Sequence, residues 1–230
     1  MEQGNRPPQL TAASLKAHVI TGPLLAAAVL FTARGTLAWW EGWAYSLLYA
    51  GWSLVNTAML AVHARDLLAR RLKADWPAQP FDRAVSALVP LAYAATLAWS
   101  ARHPDFPGDP EWFYGRVVVY ALLAWSYANV TLCLLTNSFA LKGIAVAPGQ
   151  TVCSTGPYSR LRHPIYASIA LGCLCTPPAL GSLSGLKFAA AAVALVIARA
   201  AYEDRFLLAN LPGYRDYAAR VKWRLLPFVW

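Results

Sequence analysis

Charge is what this chain has little of. Only 13% of its 230 residues are Asp, Glu, Lys or Arg, where soluble domains carry roughly 25%. Acids are scarcer still, 11 against 20 bases, for a net charge of +9. The bases build no face alternating with polar surface. They sit between apolar runs, which excludes nucleic acid as the partner and makes membrane topology their cause. A cleaved-signal pattern is also missing: residues 1–10 are polar, hold two prolines and lack the basic-then-apolar order. Insertion is therefore expected from the first retained span. No glycine-rich dinucleotide fingerprint follows a strand pattern, which excludes a soluble-type nucleotide fold. The four cysteines, Cys133, Cys153, Cys173 and Cys175, show no metal-type spacing with histidines, so no metal is expected. Nor is there the internal duplication of a paired-repeat transporter.

What the chain has instead is apolar length. It is 58% hydrophobic with a mean hydropathy of +0.40. Six apolar segments can be drawn, at 18–36, 40–62, 84–100, 112–135, 165–183 and 186–202. A helix crossing the ~30 Å hydrocarbon layer needs about 20 residues, so the third and fifth are short. Each holds proline, Pro90 in the third and Pro177-Pro178 in the fifth. The proline pair removes two amide donors and predicts a break near the end of the fifth helix. The expected fold is all-α: a polytopic membrane helical bundle of about six transmembrane helices. Residues 1–136 supply the N-terminal helices. Residues 137–230 supply a connector, a helical hairpin and an amphipathic tail helix.

The basic residues suggest the orientation. Arg65, Arg70, Arg71, Lys73 and Arg83 lie between the second and third segments, and Lys142, Arg160 and Arg162 between the fourth and fifth. Arg205, Arg215, Arg220, Lys222 and Arg224 follow the sixth. Between the third and fourth, acids outnumber bases. Basic loops stay inside, so both termini and the 137–163 connector are expected on the cytoplasmic side. Connector and tail would then form a lid over a pocket.

One stretch stands apart, Gly156-Pro157-Tyr158-Ser159-Arg160-Leu161-Arg162-His163-Pro164-Ile165-Tyr166. Polar groups crowded at the lip of an apolar segment mark a functional site. Arg199 and Glu203, four apart on one helix face, can pair. The short turn 181–185 makes the last two segments antiparallel neighbours. That hairpin brings Arg162, His163, Tyr166, Arg199 and Glu203 to one depth. A carboxylate can bind an ammonium or ribose hydroxyls, and tyrosine faces suit a flat ring or a sulfonium. S-Adenosyl-L-methionine has all these parts; a nucleotide or a lipid head group also fits. For Arg162 two readings stand, a lipid-facing anchor and a support of the site.

The order Gly156-Pro157-Tyr158, Arg162-His163-Pro164-Ile165-Tyr166, Arg199, Glu203-Asp204, Tyr214, Tyr217, Arg220-Val221 and Leu226-Pro227 resembles the isoprenylcysteine carboxyl methyltransferase family. Those proteins stand with the integral-membrane phospholipid methyltransferases. The resemblance covers residues 137–227 and implies an S-adenosyl-L-methionine-dependent membrane methyltransferase. It implies donor binding by Gln150, Thr151, Val152, Cys153, Tyr158, His163, Pro164, Ile165, Tyr166 and Glu203. It also implies a catalytic pair, Arg199 on the substrate side with Glu203. The connector Gln150-Thr151-Val152-Cys153 departs from the family's usual His/Arg-Leu-Val wording. Three acceptors stand open: an isoprenylcysteine-like carboxylate, a small thiol and a phospholipid amine. The expected partners are that lipophilic or small acceptor and membrane lipids. A non-enzymatic lipid-binding scaffold is the other class.

Overall fold

The computed structural model describes residues 11–73, 77–106 and 112–230. Residues 1–10 and the acidic loop at 109–111 lie outside the described residues. Among the described residues the protein is all-helical, with eight α-helices and no strand.

Helix α1 (Ala12–Arg34) starts at Thr11 and Ser14, whose hydroxyls each accept the other's backbone N–H, a reciprocal cap that satisfies two orphan donors. It stops at Gly35, whose φ of 77° is open to glycine. Helix α2 (Trp40–His63) runs straight into α3 (Arg65–Leu72). Helix α4 (Pro80–Arg102) and α6 (Pro164–Ala179) each begin on a proline, which costs no hydrogen bond at the first helical position. Helix α5 (Phe113–Thr136) lies between them in sequence, and α7 (Leu186–Asn210) completes the set of long helices.

These helices close into a ring. Helix α1 packs on α2, α2 on α5, α5 on α6, α6 on α7, α7 on α4 and α4 back on α1. At the centre Tyr45, Tyr93, Tyr127 and Thr176 join hydroxyls from α2, α4, α5 and α6; Tyr93 meets Thr176 at 3.1 Å. Around them pack Leu30, Leu97, Leu123 and Leu180. The outer surface is inverted relative to a soluble domain, with Leu24, Leu25, Leu47, Leu91 and Val118 exposed. Helices α1, α4 and α5 are long and apolar enough to cross a membrane. Exposed apolar helices around interhelical hydroxyl bonds are consistent with a membrane protein.

The proline pair falls in the last turn of α6, which ends at Ala179. The tail differs from the single amphipathic helix expected of it. Helix α7 continues to Asn210, the chain breaks at Leu211-Pro212-Gly213, and α8 (Tyr214–Arg220) has only 7 residues. Pro212 holds Leu211 out of the helical region (φ −104°, ψ 114°). Gly213 takes φ 78°, a conformation that favours glycine.

The two ends of the ring are built differently. At one end the 181–185 turn is stitched to the α4 exit. Asp105 and Phe106 N–H donate to Gly181 O, Ser182 Oγ donates to His103 O, and Ser184 N–H donates to Asp105 Oδ2. Burial is slight at Asp105, and the Ser184 amide is the main group holding its carboxyl below the usual carboxylate range. Nearby Glu41 and Arg116 form an almost completely buried ion pair at 3.3 Å. The other end holds α3, the connector, α8 and a cavity.

Candidate functional site

Helix α3 anchors the connector. Its Leu67 and Leu68 bury against Leu60 and Leu134, which turns Arg70 and Arg71 toward the connector. Arg70 Nη2 donates to Ser138 O at 2.7 Å and Arg71 Nη1 to Ala140 O at 2.6 Å. Gln150 closes a turn, its Oε1 accepting from Ala147 N–H at 2.9 Å. Cys153 Sγ lies 3.6 Å from Thr136 O. Val152 packs against Leu211, Tyr214 and Tyr217. The Gly156–Ser159 3₁₀ turn then delivers Tyr158 inward, and Tyr217 Oη donates to Tyr158 O at 2.7 Å and Leu161 O at 3.3 Å. Burial raises the pKa values of Tyr158, Tyr214 and Tyr217 above the ordinary phenol value, so all three stay neutral.

Asp204 is the hub of this end and is wholly buried. Its Oδ1 faces His163 Nε2 at 3.2 Å and accepts from Tyr214 Oη at 3.0 Å. Its Oδ2 accepts from Arg224 Nε at 2.8 Å and faces Arg162 Nη1 at 3.2 Å. Burial pushes the Asp204 carboxyl up. The His163 and Arg224 hydrogen bonds and the nearby positive charge outweigh it and hold the carboxyl well below its usual range. A carboxylate only accepts, so His163 Nε2 carries the hydrogen in this contact. The backbone fixes the same residues a second time: Arg162 N–H donates to Trp223 O and His163 N–H to Arg224 O.

Glu203, one residue away, faces differently. Its Oε2 accepts from Tyr166 Oη at 2.5 Å. The pairing expected between Arg199 and Glu203 does not form. Arg199 Nη2 instead meets Asp82 Oδ1 at 2.7 Å, and Ile144 N–H donates to Asp82 Oδ2 at 2.7 Å. The reason is tertiary: α4 packs along α7 and brings a fully buried carboxylate from its own first turn. Arg162 is likewise settled by its contacts, a support of Asp204 and not a lipid-facing anchor.

All eleven residues singled out from sequence line one cavity of about 610 Å³: Gln150, Thr151, Val152, Cys153, Tyr158, His163, Pro164, Ile165, Tyr166, Arg199 and Glu203. The sequence reading missed Arg71, Lys142 and the apolar wall of Val89, Pro90 and Ile169. It also missed Asp82. A lone acid at the head of an apolar segment was the available signal, since such a charge requires a partner. Burial, with Arg71 adding to it, lowers the Lys142 pKa from the ordinary lysine value. Arg71 and Lys142 both line the cavity, and among the described residues neither forms an ion pair with a carboxylate.

The donor set does not suit a metal ion. His163 Nε2 is committed to Asp204 and the Glu203 carboxylate takes the Tyr166 hydroxyl. Among the described residues no group of three or more His, Cys, Asp or Glu is placed to hold one.

Among the described residues, fold and site together define an all-helical protein of membrane character with a cavity of mixed polar, aromatic and aliphatic lining at one end. No family model matches the chain. It is similar to the cobalt-zinc-cadmium resistance protein CzcN of Cupriavidus metallidurans, at 33% identity over 114 residues, 49% of this chain and 52% of the relative. It is also similar to the nickel-cobalt-cadmium resistance protein NccN of Alcaligenes xylosoxydans xylosoxydans, at 30% identity over 105 residues, 44% and 47% of the two chains. The chain spans about half the length of the curated relatives it matches. These names correct the expectation taken from the motifs. The relatives are named for metal resistance and not for methyl transfer. The assignment to the isoprenylcysteine carboxyl and phospholipid methyltransferases, and the enzymatic class with it, is therefore withdrawn. The expectation that no metal is a partner also runs against those names.

Proposed function

We propose that the protein is a membrane-embedded contributor to transition-metal tolerance whose cavity binds an amphoteric nucleoside ligand of the S-adenosyl-L-methionine kind. One observation carries the ligand, the composition of the cavity wall. The Glu203 carboxylate can take an ammonium or ribose hydroxyls, while Arg71 and Lys142 can take a carboxylate. Tyr158, Tyr166 and Tyr214 offer ring faces to a flat base or a sulfonium. A volume of about 610 Å³ lies within the usual range of small-molecule sites, roughly 300–1,000 Å³. The link to metal rests on the relatives' names, since among the described residues no group of three or more His, Cys, Asp or Glu is placed to hold an ion.

The six-helix arrangement belongs to the same proposal. Helices α2 and α7, with 24 and 25 residues, have the length to cross beside α1, α4 and α5. Helix α6, at 16 residues, is short for a layer that takes about 20; its proline-terminated end is where the bilayer would thin or the helix pair tilt. Basic residues gather at the cavity end, which supports a cytoplasmic cavity and cytoplasmic termini.

Calorimetry on the detergent-purified protein tests the ligand. S-Adenosylhomocysteine binds the wild type and loses affinity with Glu203→Gln. Growth on cobalt, zinc, cadmium and nickel salts tests the role. Cells expressing the wild type outgrow those expressing the folded Glu203→Gln protein. Absence of binding removes the ligand, and equal growth removes the connection to metal tolerance.

A further inference from the structure

A second cavity lies beside the turn that carries Tyr158. It measures about 460 Å³, and Ser159, Arg160, Arg220, Lys222, Trp223 and Phe228 contribute to its wall. Arg160, Arg220 and Lys222 are exposed. Among the described residues none of the three side chains has an ion-pair or hydrogen-bond partner. That separates them from Arg162 and Arg224, which are fixed on Asp204. Among the described residues no carboxylate lines the cavity, so three cations face it without a counter-charge from them.

The segment after α8 adds an apolar part. The N–H groups of Arg224 and Leu225 donate to Trp230 O at 2.9 and 3.0 Å, and Trp230 N–H donates to Leu226 O at 3.2 Å. This hook pushes Leu226, Phe228 and Val229 outward, at 60%, 87% and 74% exposure. Phe228 holds a φ of 67°, the left-handed region that bulky side chains rarely enter. Its ring meets Trp223 at 5.4 Å. The structure thus holds an aromatic side chain out in the surroundings against its own backbone preference.

Cations that bind phosphate, next to aromatic and aliphatic groups that prefer hydrocarbon, match the two halves of one molecule at a bilayer surface. We propose that this cavity binds the head group of an anionic phospholipid. Arg160, Arg220 and Lys222 hold the phosphate, and Leu226, Phe228 and Val229 rest among the acyl chains. A free phosphate ester makes use of the cations and leaves the apolar hook without a role.

Native mass spectrometry of the delipidated protein in detergent tests this, with phosphatidylglycerol, phosphatidylcholine and glycerol 3-phosphate as probes. Cations at a membrane surface favour anionic lipids, so the wild type retains phosphatidylglycerol over phosphatidylcholine by roughly tenfold or more. The Arg160→Gln/Arg220→Gln/Lys222→Gln protein loses that preference. A triple of equal charge loss outside the cavity, Arg65→Gln/Arg83→Gln/Arg205→Gln, keeps it. Phe228→Ser weakens retention of both lipids and leaves their ratio. Should the cavity triple fail to fold, the single Lys222→Gln change shows a graded loss in its place. Equal loss in both triples, no preference in the wild type, or full competition by glycerol 3-phosphate each overturns the proposal.

Discussion

Both ends of the helical ring bury an arginine–carboxylate contact, and the large cavity lined by the described residues lies at only one of them. At the 181–185 end, Arg116 holds Glu41 and the carbonyl of Phe106, and Asp105 caps Ser184. Each carboxylate there serves a neighbouring helix or turn. At the other end Asp204 gathers His163, Tyr214, Arg162 and Arg224, and Asp82 takes Arg199. Those two acids fix the walls, while Glu203, Arg71 and Lys142 line the cavity, and among the described residues no carboxylate forms an ion pair with Arg71 or Lys142. Charge at the first end fastens helices. At the second, part of the charge fastens helices and the remainder lines the cavity.

The sharpest break of this comparison is a matched pair of substitutions. Removing one partner of a buried ion pair costs about 3–5 kcal/mol. Asp204→Asn and Glu41→Gln should each lower stability by that order, read from denaturant unfolding in detergent. They should part on the ligand. Folded Glu41→Gln protein keeps S-adenosylhomocysteine binding at the wild-type level, and Asp204→Asn loses it, because His163 and the 223–224 strap lose their anchor. Equal binding in the two variants would erase the distinction between the ends.

Glu203→Gln makes the opposite separation. The amide oxygen still accepts from Tyr166, so unfolding changes by no more than about 1 kcal/mol, the usual net worth of one hydrogen bond. Binding loses the charged hydrogen bonds to the ligand, worth about 1.5–3 kcal/mol, or roughly tenfold to a hundredfold in calorimetry. A large loss of stability with unchanged affinity would class Glu203 with the fastening acids.

A third change addresses the closed end alone. A Cβ built on Gly185 stands against Ser100 Oγ and 3.0 Å from Pro177 Cβ, where α4, α6 and the turn into α7 converge. Gly185→Ala forces those neighbours apart and costs about 1–3 kcal/mol, the range of an overpacked site. It should leave ligand affinity as it was, since the cavity lies at the far end. Altered affinity would show that the two ends are mechanically joined through α6 and α7.

The sequence was most legible where one element's own pattern decides the outcome. The six apolar segments recur as α1, α2, α4, α5, α6 and α7, because hydrophobic length and flanking prolines are local properties. The lining residues were legible too, since the α6–α7 hairpin follows from a short turn. Partner choice was not. The i,i+4 spacing made Glu203 the natural mate of Arg199, and only the packing of α4 on α7 supplies Asp82. The tail was read by helical spacing alone, while Pro212 and Gly213 divide it. Motif order pointed to methyl transfer, whereas the relatives found are named for metal resistance. Residues that line one cavity do not state what the protein does with it.

The smallest expected effect tests how tightly the cavity wall is held. Tyr217 is almost fully buried, and its hydroxyl donates to the carbonyls of Tyr158 and Leu161, so α8 grips the turn that aims Tyr158 into the cavity. Tyr217→Phe keeps the ring packed beside Tyr214 and Leu211 and removes only that grip. A single net hydrogen bond is worth about 0.5–1.5 kcal/mol, and stability should fall by that amount. Because the loosened turn bears directly on Tyr158, affinity for S-adenosylhomocysteine should fall severalfold as well. At the closed end the corresponding change is Ser182→Ala, which removes the Oγ bond to His103 O and should cost a similar amount with no effect on affinity. If the two variants shift stability alike and neither moves binding, the turn is set by its own backbone and α8 is not part of the site.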